Sequence, residues 1–128
     1  MVYLDSSAIV KLVVREPESR ALRAYLRREP DRLSCGLART EVLRAVRPLG
    51  PAAVELARRV LRNIHLARLD EALLDAAGLL EPVTLRSLAA IHLAAAHLVA
   101  PTLRAVVTYD RRMTQAAASL GFTVVAPA

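Results

Sequence analysis

Cysteine, lysine and aromatic residues are all scarce in this chain of 128 residues. The single cysteine, Cys35, has no partner for an internal disulfide, which suits a reducing compartment. With no tryptophan, one phenylalanine and three tyrosines, few rings are available as stacking platforms. Long apolar runs are missing too. The longest, from Leu88 to Val99, is broken by His92 and His97, ends before Pro101 and falls short of the ~20 residues a membrane-spanning helix needs. Asp5 and Lys11 fall where a secretory signal would need its apolar core. No membrane span is expected, and a cytoplasmic location is.

What is present is enough to fold. An apolar content of 55% against 23% charged residues is too hydrophobic for a disordered chain, although much of it is alanine, which buries little area per residue. The length fits one domain over residues 1–128, with no linker, repeat or low-complexity stretch. The 18 basic residues outnumber the 12 acidic ones for a net charge of +6, and Lys11 is the only lysine. Arginine binds phosphate through a planar two-pronged face, so an arginine-rich basic domain fits nucleic acid or an acidic protein tail. A GC-rich genome writing arginine for lysine accounts equally well for the bias taken alone.

Residues 1–4 form a short apolar run closed by Asp5-Ser6-Ser7, the pattern of a buried strand ending in helix-capping residues. Helices are predicted over 8–14, through Ala21, Leu22, Tyr25 and Leu26, and over 38–46, where Val42, Ala45 and Val46 share a face. Further helices are predicted over 52–63, from Asp70 to about Leu80, over 85–99 with Leu88, Ile91, Ala95 and Leu98 as its stripe, and over 111–120. Strands are predicted at 33–35, 64–69, 103–108 and 122–125. Short apolar strands alternating with helices, without strict in-and-out alternation, indicate a parallel sheet covered on both faces. The fold class is therefore α/β: a three-layer α/β/α sandwich around a central, mostly parallel sheet of about five strands. In such sheets the functional crevice lies at the carboxyl ends of the strands, near the point where strand order reverses.

Three carboxylates stand where they could converge there. Asp5 follows the first strand, Glu41 lies early in the helix after the second, and Asp110 follows the strand containing Val106. A plain N-cap accounts for Asp5 or Asp110 taken singly, and a surface pair with Arg44 accounts for Glu41. Taken together, three acids at one sheet edge repel one another unless a hard cation such as Mg²⁺ or Mn²⁺ sits between them, an arrangement suited to phosphodiester cleavage. His92 is read as a packed, hydrogen-bonded core residue rather than a general base. His65 and His97 lack zinc-ligand spacing, and Cys35 sits in a buried strand.

The segments VYLDSSAIVKL at 2–12, ARTEV at 38–42, LRSLAAIHLA at 85–94, TYDRRM at 108–113 and GFTVVAP at 121–127 resemble, in order and spacing, the successive motifs of PIN-domain proteins, in particular VapC-type toxin ribonucleases. The resemblance runs nearly end to end. It implies a Mg²⁺- or Mn²⁺-dependent endoribonuclease, transfer RNA being the favoured substrate, held in check by a cognate VapB-type antitoxin and dimerising through apolar helical surface. By the same resemblance Asp5, Glu41 and Asp110 match the family's first, second and fourth acidic positions. Ser6 and Thr108 match polar residues that orient ligands or water. Arg111 and Arg112, beside Asp110, are the first candidates to anchor RNA phosphates. With so few rings, base recognition is expected to rest on arginine and RNA shape.

One position departs from the pattern. Ala89 stands where the family usually carries an aspartate that ligates metal alongside Asp5. Alanine offers no oxygen, so the chain as written is expected to bind a divalent ion weakly and to be impaired or inactive as a nuclease. The same alanine favours a reading from another class, a catalytically silent module that binds RNA or a protein. A phosphotransfer domain built on an aspartyl phosphate is weaker, because Asp5-Ser6-Ser7 lacks the second aspartate such sites use.

Overall fold

Strands of two to four residues carry too few ladder bonds to stand alone, so a chain built from them depends on helices pressing on both faces of the sheet. The computed structural model, which describes residues 1–128, has this form. In chain order the elements are β1 (Val2–Leu4), α1 (Ser6–Val13), α2 (Ser19–Leu26), β2 (Arg32–Cys35), α3 (Leu37–Val46), α4 (Pro51–Arg62), β3 (His65–Ala67), α5 (Glu71–Gly78), α6 (Ser87–Leu98), β4 (Ala105–Val107), α7 (Arg111–Ser119) and β5 (Val124–Val125). The five strands form one sheet in the order β3-β2-β1-β4-β5, and every neighbouring pair is parallel. The α/β/α sandwich read from the sequence is the fold observed.

Side chains of successive strand residues point to opposite faces, and the core divides accordingly. Val2, Leu4, Ala105 and Val107 meet Ile9, Leu22, Leu26, Val42 and Leu61 from α1 to α4. Tyr3, Leu33, Cys35 and Val106 meet Leu73, Leu93, Ala95, Met113 and Ala117 from α5 to α7. Strand order reverses between β1 and β4, whose register pairs Leu4 with Val107. The next residue on each strand, Asp5 and Thr108, therefore emerges at the same edge. Asp5, Asp70 and Asp110 each cap the helix that follows, accepting backbone N–H groups left without helical partners.

Two sequence expectations about helix faces need correction. Ala45 is exposed; the buried stripe of α3 is Ala38, Val42 and Val46 at four-residue spacing. On α6, Leu88 and Leu98 are 53% and 64% exposed, whereas Ala90 and His92 through Ala96 are buried. The reason is close approach by small residues. Ala90 and Ala94 pack on Ala77 of α5, and the helix is enclosed on several sides, so leucine periodicity does not mark its buried face.

Gly121 ends α7 at φ 87°, with Phe122 N–H bonded back to the Ala117 carbonyl at 3.0 Å. Gly78, at the end of α5, lacks a positive φ, and neither glycine has a heavy atom within 4 Å of an added Cβ. Backbone conformation alone thus separates them. Gly121→Ala is expected to destabilise by about 1 kcal/mol and Gly78→Ala to be neutral or stabilising by about 0.5 kcal/mol, read from denaturant midpoints. Equal effects would remove the left-handed cap as the stop signal of α7.

Candidate active site

Because β1 and β4 are neighbours in parallel register, residues more than a hundred positions apart meet at their carboxyl ends. Asp5 N–H donates to the Val107 carbonyl at 3.2 Å. The Asp5 carboxylate accepts from Ser7 Oγ at 2.6 Å and Ala8 N–H at 3.1 Å through Oδ1, and from Thr108 Oγ1 at 2.6 Å through Oδ2. Burial pushes its pKa up, and the bonds from Ser7, Thr108 and the Ala8 N–H oppose that rise without cancelling it. Ser7, which sequence reasoning did not single out, also accepts the Tyr109 N–H at 2.9 Å and so stitches the ends of β1 and β4 together. The helix-capping role of Asp5 and its place in a shared site are realised by the same carboxylate.

Glu41 is half-buried on α3 and does not pair with Arg44. Its Oε1 accepts instead from Ser6 Oγ at 2.6 Å and lies 2.6 Å from His92 Nε2. His92 is only 3% exposed, and its Nδ1 sits 2.7 Å from Tyr3 Oη and 3.7 Å from Cys35 Sγ. Burial pulls the imidazole pKa down, but Cys35 and Glu41 outweigh it and push it up to about 9. As an imidazolium, His92 donates through Nε2 to Glu41 and through Nδ1 to Tyr3. Glu41 shows the converse: burial raises its pKa, while His92 and Ser6 carry the balance below the usual carboxylate range. The histidine is thus a packed core residue, as expected, and also the counter-ion of a candidate catalytic carboxylate. The only hint in the sequence was its position three residues after Ala89, on nearly the same helix face.

Asp110 is exposed and caps α7, its Oδ1 accepting from Arg112 N–H at 2.8 Å and Met113 N–H at 3.2 Å. Asp5, Ser6, Glu41, Ala89, His92 and Asp110 all line one cavity of about 710 Å³, along with Arg86 and Arg112. Thr108 stands behind it as the donor to Asp5. Arg112 therefore faces the acids, whereas Arg111 lines a separate depression with Tyr109. His65 is exposed on β3, and His97 is exposed near the end of α6 with its ring edge-on to Phe122. Neither belongs to the site.

Convergence on one cavity is not the same as a formed cation site. No three histidine, cysteine, aspartate or glutamate side chains stand close enough together to hold a metal ion. Both oxygens of Asp5 accept hydrogen bonds, Oε1 of Glu41 is held by His92 and Ser6 and Oδ1 of Asp110 by its helix, which leaves Glu41 Oε2 and Asp110 Oδ2 unengaged, while Ala89 supplies no oxygen. So arranged, the three acids line one cavity without forming a gathered divalent-ion site.

Comparison with known proteins identifies the family to which the chain is related. Residues 2–119 match the PIN domain family model. The chain is 53% identical over 126 residues to Ribonuclease VapC46 of Mycobacterium tuberculosis, covering 98% of this chain and 97% of that protein. It is 39% identical over 132 residues to Ribonuclease VapC47 of the same organism, covering 99% and 97%. Among solved structures it resembles M. tuberculosis VapC20, described as a Sarcin-Ricin loop cleaving toxin, with a TM-score of 0.75 over 99% of this chain and all of that one. At 14% identity this last likeness speaks to the fold alone.

The His92–Glu41 pair makes stability depend on pH in a defined direction. The raised imidazole contributes fully below its unfolded value of about 6.5 and loses that contribution as pH climbs through about 9. The depressed Glu41 contributes above about 4.5 and loses its share as pH falls through its folded value. In thermal melts, the advantage of the unaltered chain over His92→Gln is expected to be greatest between about pH 5 and 6.5 and to shrink steadily toward pH 9. A difference that stays flat across that range would show that no charged pair forms.

Proposed function

This chain belongs to the PIN-domain family, on its VapC-type ribonuclease branch, and we propose that it is the toxin component of a type II toxin–antitoxin module whose endoribonuclease site is disabled at position 89. The observation that carries this reading is the meeting of Asp5, Glu41 and Asp110 on one cavity at the carboxyl ends of β1, β2 and β4, with Ala89 in the same wall. Asp5, Glu41 and Asp110 are the carboxylates of the cleavage site, and position 89 is where a fourth is missing. Ser6 and Thr108 orient Glu41 and Asp5 through the hydrogen bonds described above. The intact site belongs to a Mg²⁺- or Mn²⁺-dependent enzyme; this one lacks the donor set to hold such an ion.

The substrate is RNA, with transfer RNA favoured; Arg112, in the cavity wall, and Arg111, in the separate depression with Tyr109, anchor its phosphates in this reading. The cognate partner is a VapB-type antitoxin. A homodimer is supported by exposed Leu74, Leu79, Val83 and Leu88, apolar side chains of the kind that assembly covers. No helix is long and apolar enough to cross a membrane, and a cytoplasmic location follows from the RNA substrate.

Ala89 and the closed Glu41–His92 pair also favour a second reading, a silent PIN-like module that binds RNA or protein without cutting. Restoring the carboxylate separates the two. Ala89→Asp is expected to raise cleavage of labelled transfer RNA in Mg²⁺ or Mn²⁺ by roughly a hundredfold or more, and Glu41→Gln in the restored chain to abolish the gain. If Ala89→Asp leaves cleavage unchanged while RNA or an antitoxin still binds, the silent module stands and the ribonuclease reading falls.

A further inference from the structure

Asp5, Glu41 and Asp110 repel a phosphodiester backbone, and Arg86 and Arg112 are the only arginines in the wall of their cavity, so RNA that reaches it gains from further cations elsewhere. The structure has a concentrated source of them. Between α3 and α4 lies a groove of about 550 Å³ whose wall carries Arg39, Arg44, Arg47 and Arg58 and no acidic residue. All four arginines are exposed. Arg39, Arg44 and Arg47 make no salt bridge or side-chain hydrogen bond, and Arg58 meets only Glu55, at 4.0 Å. Four guanidinium groups lining one groove repel one another, and an anionic ligand relieves that repulsion.

The sequence places this groove beside the acidic cavity. Arg44 and Arg47 follow Thr40 at four and seven residues, so they share a face of α3 and its extension. Glu41, one position after Thr40, turns about 100° away into the carboxylate cavity. One helix thus presents a cationic face to one groove and an acid to the next. Only Leu43 and Val54 are apolar in the cationic wall, and no ring lines it. A protein tail would need apolar anchors that this wall scarcely provides, whereas a sugar–phosphate backbone needs planar charged forks and nothing else.

We infer that the α3–α4 groove is a phosphate-backbone site for RNA, separate from the cleavage cavity, which grips the strand through Arg39, Arg44, Arg47 and Arg58 without reading bases. The inference deepens the ribonuclease reading and rests on it for the identity of the anion. The groove holds one stretch of backbone while a neighbouring stretch lies over the acids. Binding energy gained at a remote phosphate thereby offsets repulsion at the cutting point.

The test uses the chain as it stands, because Ala89 lets binding be measured without cleavage. Fluorescein-labelled transfer RNA is titrated by anisotropy at several salt concentrations. The variant is the triple change Arg39→Gln, Arg44→Gln and Arg47→Gln; the charge-matched control is Arg20→Gln on α2 with Arg27→Gln and Arg28→Gln in the turn just after it. The groove variant is expected to lose at least about tenfold in affinity and to flatten the slope of log K against log salt by roughly 2, the control changing neither by a comparable amount. Unaltered melting of both proteins shows that the fold is intact. Equal losses in both variants, or no loss in the groove variant, overturn the inference, as does failure of the unaltered chain to bind the RNA at low salt. Retained RNA binding with lost binding of a labelled polyglutamate peptide overturns it in favour of an acidic protein. Cleavage by Ala89→Asp is read separately. An Ala89→Asp chain that cuts while the groove variant binds normally leaves the ribonuclease reading intact and removes only the groove.

Discussion

The site depends on the parallel pairing of β1 with β4. That pairing is short, three residues on each strand, yet it alone brings Asp5 to the side of Thr108 and hence to Asp110. A slip of one residue would turn Leu4 and Val107 away from their helical layer and carry Asp5 off the edge with them. The register is locked twice. Apolar side chains from seven helices close on the two faces, and at the rim Ser7 and Thr108 join the strand ends by hydrogen bonds to Asp5 and to the Tyr109 N–H. Hydroxyls that orient the acid also hold the scaffold in register, so position and stability share the same atoms.

Electrostatics sets the second constraint. Carboxylates collected at one edge need compensation, and this chain supplies it from inside the protein. His92 rises from the floor of the cavity, is braced by Tyr3 and Cys35 from the sheet, and holds Glu41 at hydrogen-bond distance. Asp5 is compensated differently, by dipoles: two hydroxyls and a helix N-terminal N–H. The result is a set of acids satisfied one by one by protein groups, with Ala89 adding no further donor.

Charge is also partitioned on a larger scale. A net charge of +6 spread evenly would favour polyanions everywhere on the surface. Instead, α3 separates an acid-lined cavity from an arginine-lined groove by about a third of a helical turn. An acidic and a cationic wall thus lie on adjacent faces of one helix. Of the exposed apolar side chains near α5 and α6, Leu74, Leu79 and Val83 lie outside both walls, whereas Leu88 lines the acidic cavity.

By itself the sequence determined the fold class, the order of elements and the three acids. Strand-then-cap junctions such as Leu4-Asp5 and the spacing of apolar runs are local properties, and they survive whatever packs around them. It did not reveal that His92 neutralises Glu41, that Ser7 binds Asp5, that Leu88 and Leu98 face outward, or that Arg39, Arg44 and Arg47 gather with Arg58 in a groove clear of acids. Each of these depends on which helix lies against which, and a residue's one-dimensional neighbours say little about that. Only tertiary packing decides when alanines let two helices close up, leaving leucines outside. It alone brings an imidazole from position 92 to a carboxylate at position 41, where burial and proximity rather than residue type set the charge on both.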